Sequence, residues 1–549
     1  LNRQTADRIF RLTIGAFAVY AAAFIWRSSF VIGGTRTFCL FDDAMVSMRY
    51  ARNLASGFGL VWNPGGERVE GFTNPGWTLV MALLHLLPLS SAKISLAVQA
   101  VSALCLIANL FVVRRIGQRL AGSGFAELAV LFTAFYYPLN NWALQGMEVG
   151  VLALIVSLGC LNAIEPAKQG GNMARVYLPL AAGLLVRPDM LVPFLVLWGV
   201  MVLCNPGSRR IHMAWGTASL LLCMGGLTAF RLAYYGDTAP NTWYLKMTGF
   251  PALLRMSRGA IHTGYFLFKI LWPVALAGIV FVACFSRRRR ARPPASHPLR
   301  LFAAPLFDPA PLTLAAVIVA QCAYAVYVGG DAWERIAGAN RYLSIVLPCL
   351  FVLVSLVLAH VHSLVRNDAR FVRWLAPATA ALFFVAANSF YGPQSLLNLL
   401  LVEPPLYKDD NIRNVKLALA LREFTTPDAR VAIDYAGVPA YFADRQMIDL
   451  LGKNDRHVAQ TPAHRGMLRG SPLLEFYPGH IKWDYGYSIT SKRADVVCAI
   501  WRRAAGDSRA HLRGAFLEGD IGGVSVYLRK GSPRVKWDKV PFTPVEPAR

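Results

Sequence analysis

The sequence predicts an α-helical polytopic membrane protein, with about eleven transmembrane helices and a C-terminal extracytoplasmic α/β domain. The chain has 549 residues and is 55% hydrophobic and only 16% charged, where a soluble protein carries about a quarter charged residues. Its apolar residues gather into runs separated by short basic loops. After Tyr391 the composition changes to mixed polar sequence. The net charge of +25 resides largely in those loops, as membrane orientation requires. No basic–aromatic stripe points to nucleic acid.

The first span is expected near Leu12–Gly33, as a retained helix rather than a cleaved signal. A polar outer loop, residues 34–92, follows. Within it the apolar run of GFTNPGWTLVMALLHLLP is too short to cross and reads as an interfacial helix. Further spans are expected near Ile94–Val113, Phe125–Tyr137, Val149–Ala163, Tyr177–Val186, Leu191–Cys204, Ala214–Phe230, Gly264–Phe285, Leu312–Val328, Tyr342–His360 and Trp374–Phe390. Several fall short of a full crossing, which suits broken or re-entrant helices. With this count Arg114, Arg115, Arg119, Lys168, Arg175, Arg209, Arg210, the run Arg287 to Arg290 with Arg292, Arg366, Arg370 and Arg373 share one side with Arg3, Arg8 and Arg11. The positive-inside rule makes that side cytoplasmic and turns the opposite loops to the periplasm or cell exterior.

Residues 1–391 thus read as a membrane domain and 392–549 as a soluble periplasmic α/β domain. In the latter, DNIRNVKLALALREF has helical spacing. RVAIDYAG, QMIDLLG, ADVVCAIW and GVSVYLRK are short β-branched runs bounded by turn residues, as strands are. The nine cysteines lack metal-ligand spacing. Cys39 and Cys498 alone fall outside the predicted spans, and a disulfide between them is left open.

The chemistry is expected in the segment FDDAMVSMRYARN, where Asp42 and Asp43 follow the first span. Carboxylates beside a bilayer are costly unless paired, metal-bound or reactive. One can cap the following helix; either can take a proton from a sugar hydroxyl or hold a divalent cation such as Mg, Mn or Ca. Downstream, Trp62, Phe72 and Trp77 offer flat faces for sugars or headgroups. Glu67, Glu70 and Asn74 are the polar groups expected to touch an acceptor. Glu148 sits at an outer entrance, and Arg187 and Asp189 flank a helix break where they can pair. Lys246, Asp331, Glu334, Arg335 and Arg341 lie in two further outer loops, and Arg341, Lys246 and Arg335 are suited to a lipid phosphate. In the polar C-terminal region, Asp449, Asn454, Asp455, His457, His480, Lys482 and Asp484 fall in turns. Asp331, His480 and Lys482 join Glu70, Asn74, Trp62 and Trp77 as candidate acceptor or sugar contacts.

In order along the chain, FDDAMVSMRYARNLASGFGLVWNPGGERVEGFTNPGWT, GMEVG, RPD, GDTAPNTWYLK, GGDAWERIAGANRY, DLLGKND and PGHIKWDY resemble the GT-C superfamily of polyprenyl-phosphate-dependent glycosyltransferases. The set is most similar to the terminal arabinofuranosyltransferases. That resemblance implies a catalytic carboxylate at Asp42 or Asp43 and a decaprenyl- or undecaprenyl-phosphate donor, with D-arabinofuranose as the sugar. It also implies an envelope glycan or surface protein as acceptor. Transfer of mannose, another hexose or aminoarabinose to protein or lipid A keeps the same fold. A lipid-linked sugar flippase instead predicts internal repeats and mid-membrane charges.

Overall fold

The computed structural model describes residues 2–165, 172–288, 303–334, 340–365, 374–389, 393–466 and 471–547. Each of the predicted spans coincides with helical structure. The membrane helices are α1 (Arg3–Ser28), α4 (Ile94–Leu120), α5 (Ser123–Ala134), α7 (Val149–Ile164), α8 (Met173–Val186), α9 (Leu191–Cys204), α10 and α11 (Arg209–Leu220 and Gly226–Tyr235, joined by a π-turn), α13 (Ala252–Arg288), α14 (Pro309–Val328), α16 (Leu347–Val365) and α17 (Leu375–Asn388). Among the described residues six helices are long and apolar enough to cross a bilayer; five of the predicted spans are helices of 17 residues or fewer. In the most apolar stretch of Leu347–Val365, 72% of the residues are buried, against 22–39% in the other five long helices. Leu347–Val365 is therefore the bundle's axis, and the others keep an apolar face outward, as lipid requires.

Short elements assemble at one end of this bundle. A hairpin of β1 (Phe30–Ile32) and β2 (Thr35–Thr37) follows α1, and then α2 (Asp42–Ala55) begins at the carboxylate pair. The expected interfacial helix is α3 (Pro75–Leu84), started by Pro75 in its first turn. Helices α6 (Tyr137–Leu144), α12 (Asn241–Met247) and α15 (Arg341–Ser344) complete the layer. Helix Pro309–Val328 ends at Gly329 and Gly330, with φ of +83° and +79°. That left-handed pair, which glycine tolerates, turns the chain directly into Asp331.

After α18 (Pro393–Leu399) and α19 (Lys408–Phe424), five strands form one sheet in the order β4–β3–β5–β7–β6. They are β3 (Arg430–Ile433), β4 (Gln446–Asp449), β5 (Val496–Cys498), β6 (Phe516–Ile521) and β7 (Val524–Arg529), with α20 (Val438–Ala443), α21 (Arg456–Gln460) and α22 (Ala505–Leu512) between them. β3 pairs parallel with β4 and β5, and β7 pairs antiparallel with β5 and β6. Four of these strands coincide with predicted ones. β6 was not among them, because FLEGDI carries Gly and two acids, which are poor strand formers; pairing across the Gly522–Gly523 turn holds it. Val431, Ile433, Val496, Cys498, Val526 and Leu528 belong to the same continuous core as the membrane helices. Ala432, Val497 and Phe516 pack with Trp483 and Tyr485 in a second core. Cys39 and Cys498 are both buried free thiols.

The carboxyl ends of the parallel strands β3 and β4 are where an open α/β sheet places its binding loops. Here those loops, after Ile433 and after Asp449, meet the start of α2, as the contacts below show.

Candidate active site

Asp42 and Asp43 open α2, where carboxylates are favoured by the positive helix end. Neither caps its own helix by a side-chain hydrogen bond. Asp43 is held by two cations: Arg341 Nη1 donates to Oδ2 at 2.8 Å and Lys453 Nζ to Oδ1 at 2.5 Å. Burial pushes the Asp43 carboxyl up, but Lys453, Arg341 and Lys246 outweigh it and hold it well below the usual range. Asp43 is therefore a carboxylate at neutral pH. Asp42 instead accepts the backbone N–H of Val438 at 2.7 Å and of Gly437 at 3.2 Å. It caps the helix Val438–Ala443 of the sheet region. Burial pushes Asp42 up to about 6, against the pull of Lys453 and the two amides.

Arg341 is committed on three sides. Its Nε and Nη2 grip Asp331 at 2.7 and 2.8 Å, Nη1 reaches Asp43, and its plane lies 5.4 Å from the centre of Trp142. The Asp331 loop is itself tied by Glu334 Oε1, which accepts from Asp331 N and Asn340 Nδ2, both at 2.9 Å. Arg187 pairs with Glu148 and, at 2.9 Å, with Asp189, the pairing the helix break suggested. Asn74 donates to Glu148 at 2.8 Å and accepts from Ser47.

These groups line a polar cavity of about 50 Å³ that includes Asp43, Asn74, Arg187, Lys246, Arg341 and Lys453. It shares Thr73, Arg187, Thr242, Lys246 and Tyr342 with a largely apolar cavity of about 230 Å³, walled also by Trp243, Tyr324, Tyr327 and Val328. Lys246 stands where the two meet. It makes no hydrogen bond or ion pair with another described residue. Burial, then the nearby Arg341 charge, pulls its amine down to about 8.

The other expected contacts are placed differently. Glu70 forms a buried bidentate pair with Arg231 at 2.6 and 3.0 Å and offers nothing to an acceptor. Trp77 is buried, with Nε1 on Gly146 O; Trp62 is buried, with Nε1 on Ala436 O and Arg49 over its ring. Both are packing residues rather than open sugar platforms. Lys482 spends its ammonium on Tyr244 O, Thr248 Oγ1 and Ala459 O. His480 is buried beside Trp333, Tyr477 and Trp501. Its Nδ1–H donates to Pro478 O at 2.8 Å, which leaves Nε2 as an acceptor. Burial and Lys453 pull it down to about 4, so it is neutral. Asp331 lies behind Arg341, and Arg335 lies outside the described residues. His457, expected in a turn, lies in the helix Arg456–Gln460 and pairs with Asp484 at 2.9 Å.

Both oxygens of Asp43 are occupied by cationic groups and Asp42 faces amides. Among the described residues no group of three or more His, Cys, Asp or Glu is placed to hold a metal.

Lys453 is the group the sequence reading passed over, although DLLGKND was singled out. Its signal was a lone Lys inside an otherwise acidic and amide-rich turn. Thr242 and Tyr342 carried no signal.

A family model described as a domain of unknown function (DUF8728) matches residues 405–527. The terminal beta-(1->2)-arabinofuranosyltransferase of Mycobacterium tuberculosis is 26% identical over 384 residues, 64% of this chain. The protein of the same name from Corynebacterium glutamicum is 28% identical over 258 residues, 43% of this chain. The chain matches 58% and 35% of the length of these two relatives. ArnT from Cupriavidus metallidurans superposes with a TM-score of 0.52 both in the apo state and bound to undecaprenyl phosphate, at 13% and 12% identity. Those matches cover 94% and 95% of this chain and 97% and 98% of ArnT. In sequence the chain is thus similar to the terminal beta-(1->2)-arabinofuranosyltransferases of these two organisms, and in fold it is a polytopic helical membrane protein built like ArnT.

Proposed function

We propose that this protein is a membrane glycosyltransferase that moves D-arabinofuranose from a decaprenyl- or undecaprenyl-phosphate donor to an envelope glycan or surface protein. The reaction takes place at the periplasmic face of the inner membrane. The observation that carries this reading is Asp43: an ionised carboxylate at a polar cavity whose other charged lining is cationic, joined through Lys246 to an apolar cavity. The arabinofuranose assignment leans on the names of the two relatives, and the lipid phosphate on the ligand of ArnT.

Asp43 takes the proton of the acceptor hydroxyl as that oxygen bonds to the anomeric carbon. The carbon–oxygen bond to phosphate breaks, and its electron pair stays on the phosphate, whose charge grows from about −1 to −2. Fixed cations aimed at that growing charge lower the barrier without reorganising. Lys246 supplies one of them. Arg341, braced by Asp331, orients Asp43. The apolar cavity walled by Trp243, Tyr324 and Tyr327 receives the first part of the prenyl chain.

The test is transfer from labelled decaprenyl-phosphate arabinose by membranes carrying wild type, Asp42→Asn or Asp43→Asn. Wild type is expected to label acceptor and Asp43→Asn to fail at normal expression. Full transfer by Asp43→Asn, or transfer only from a hexose or aminoarabinose donor, overturns the proposal in its mechanism or its sugar respectively.

A further inference from the structure

We propose that Lys453, delivered by the loop after strand β4, forms with Lys246 a two-sided clamp on the donor's phosphate. The phosphate site is then complete only when the sheet is seated on the membrane helices. The inference rests on the lipid-phosphate reading above and names the residue that completes its anion site.

Among the described residues four cationic side chains line the polar cavity: Arg187, Lys246, Arg341 and Lys453. Two are spent. Arg187 is matched by Glu148 and Asp189, and Arg341 by Asp331 and Asp43. The ammonium groups remain. A lysine has three N–H donors; Lys453 shows one hydrogen-bond contact, to Asp43, and Lys246 shows none to a described residue. Among the described residues the ammonium donors left for an anion thus come from one lysine of the helical layer and one of the sheet region.

Lys453 is held in place from both sides. Asp449, the last residue of its strand, accepts from the backbone N–H of Leu451 and Gly452 at 3.0 Å. It also accepts from Asn454 N at 2.8 Å and Asn454 Nδ2 at 2.9 Å. This closes the turn around Lys453. From the other side, Asn241 Nδ2 donates to the carbonyls of Gly452, Lys453 and Asp455 at 2.9, 3.0 and 3.1 Å. Asn241 opens the helix that carries Lys246, and Tyr50, which bonds Asn454 at 3.0 Å, lies on the helix that carries Asp43. The elements that carry the two lysines and the base are therefore tied to one another by the side chains of Asn241, Tyr50 and Asn454. Gly452 sits at φ +81°, and a Cβ there would meet Ala459 N at 2.9 Å, so the turn needs glycine.

The clamp has a consequence for order. In the empty site Lys453 neutralises Asp43. As it turns toward an arriving phosphate, Asp43 loses a charge partner and becomes a stronger base. Donor binding thereby prepares the group that deprotonates the acceptor.

The test is binding of undecaprenyl phosphate to the purified full chain in detergent, read separately from transfer. Lys453→Met and Lys246→Met are each expected to weaken binding by about tenfold or more, and Lys453→Arg to stay within about threefold of wild type. Exposed Lys530→Met serves as the unaffected control. Asp43→Asn with Lys453→Met decides the cause. Binding that remains weak supports direct phosphate contact, whereas recovery to the wild-type value means that Lys453 merely shields Asp43 and overturns the clamp. Asp449→Asn is expected to weaken binding and to add nothing to Lys453→Met, the non-additivity of a positioning residue. Full additivity removes that role. Wild-type binding by Lys453→Met defeats this inference alone. Failure of the wild type to bind undecaprenyl phosphate defeats the donor reading beneath it.

Discussion

Asp42 and Asp43 are adjacent on one helical turn, yet they take different partners: Asp43 holds Arg341 and Lys453 at 2.8 and 2.5 Å, and Asp42 caps Gly437 and Val438. Asp42→Asn keeps an oxygen that can accept both amides, so it is expected to fold and retain most of its transfer activity. Asp43→Asn is expected to lose transfer by about 10³-fold or more. Parallel kinetics of the two variants check the division; equal losses would sink it.

The same pair predicts opposite pH behaviour. Asp42 has its folded value pushed up to about 6 by burial, above the usual carboxylate range. A group raised on folding stabilises below its unfolded value and loses that contribution as pH rises through its folded one. Thermal unfolding between about pH 4 and 7 should show this falling component in wild type and lack it in Asp42→Asn. Identical profiles would deny the shift.

Lys246 supplies an alkaline limit. Burial and the Arg341 charge bring it down to about 8, so kcat/KM for the donor is expected to decline above that pH as the ammonium is lost. Lys246→Arg remains charged throughout and should move the decline to higher pH. An unchanged limb in Lys246→Arg would assign it to another group.

Glu70 and Arg231 form a buried bidentate pair. Removing one partner strands a charge at about 3–5 kcal/mol. Glu70→Ala is expected to lower the unfolding temperature sharply, with an unaltered donor KM in whatever protein remains folded. A folded Glu70→Ala enzyme with changed acceptor preference would restore Glu70 as a binding residue.

Gly437 seats the sheet region on Asp42. A Cβ there would lie 1.8 Å from the Asp42 carbonyl oxygen, a backbone atom with no easy retreat. Gly437→Ala should cost about 1–3 kcal/mol and weaken transfer by shifting the seat that also places Lys453. Unchanged unfolding temperature and transfer would show that the two parts dock otherwise.

The amino-acid sequence by itself determined the class of molecule. Apolar runs near bilayer length, basic loops on one side and β-branched runs after residue 392 are local patterns, and the helices and four of five strands follow them. It also singled out the loops that meet at the cavity, because clustered polar residues at span ends stand out against an apolar background. What each residue does there was decided only in three dimensions. Trp62, Trp77, Glu70 and Lys482 have the right chemistry for a sugar site, but their partners lie far along the chain and use that chemistry up. Asp43 and Lys453, 410 residues apart, meet because Asp449 and Asn241 fold a loop across the boundary between sheet and helices. A charge's role depends on which counter-charges and hydrogen-bond partners surround it, and long-range packing sets those.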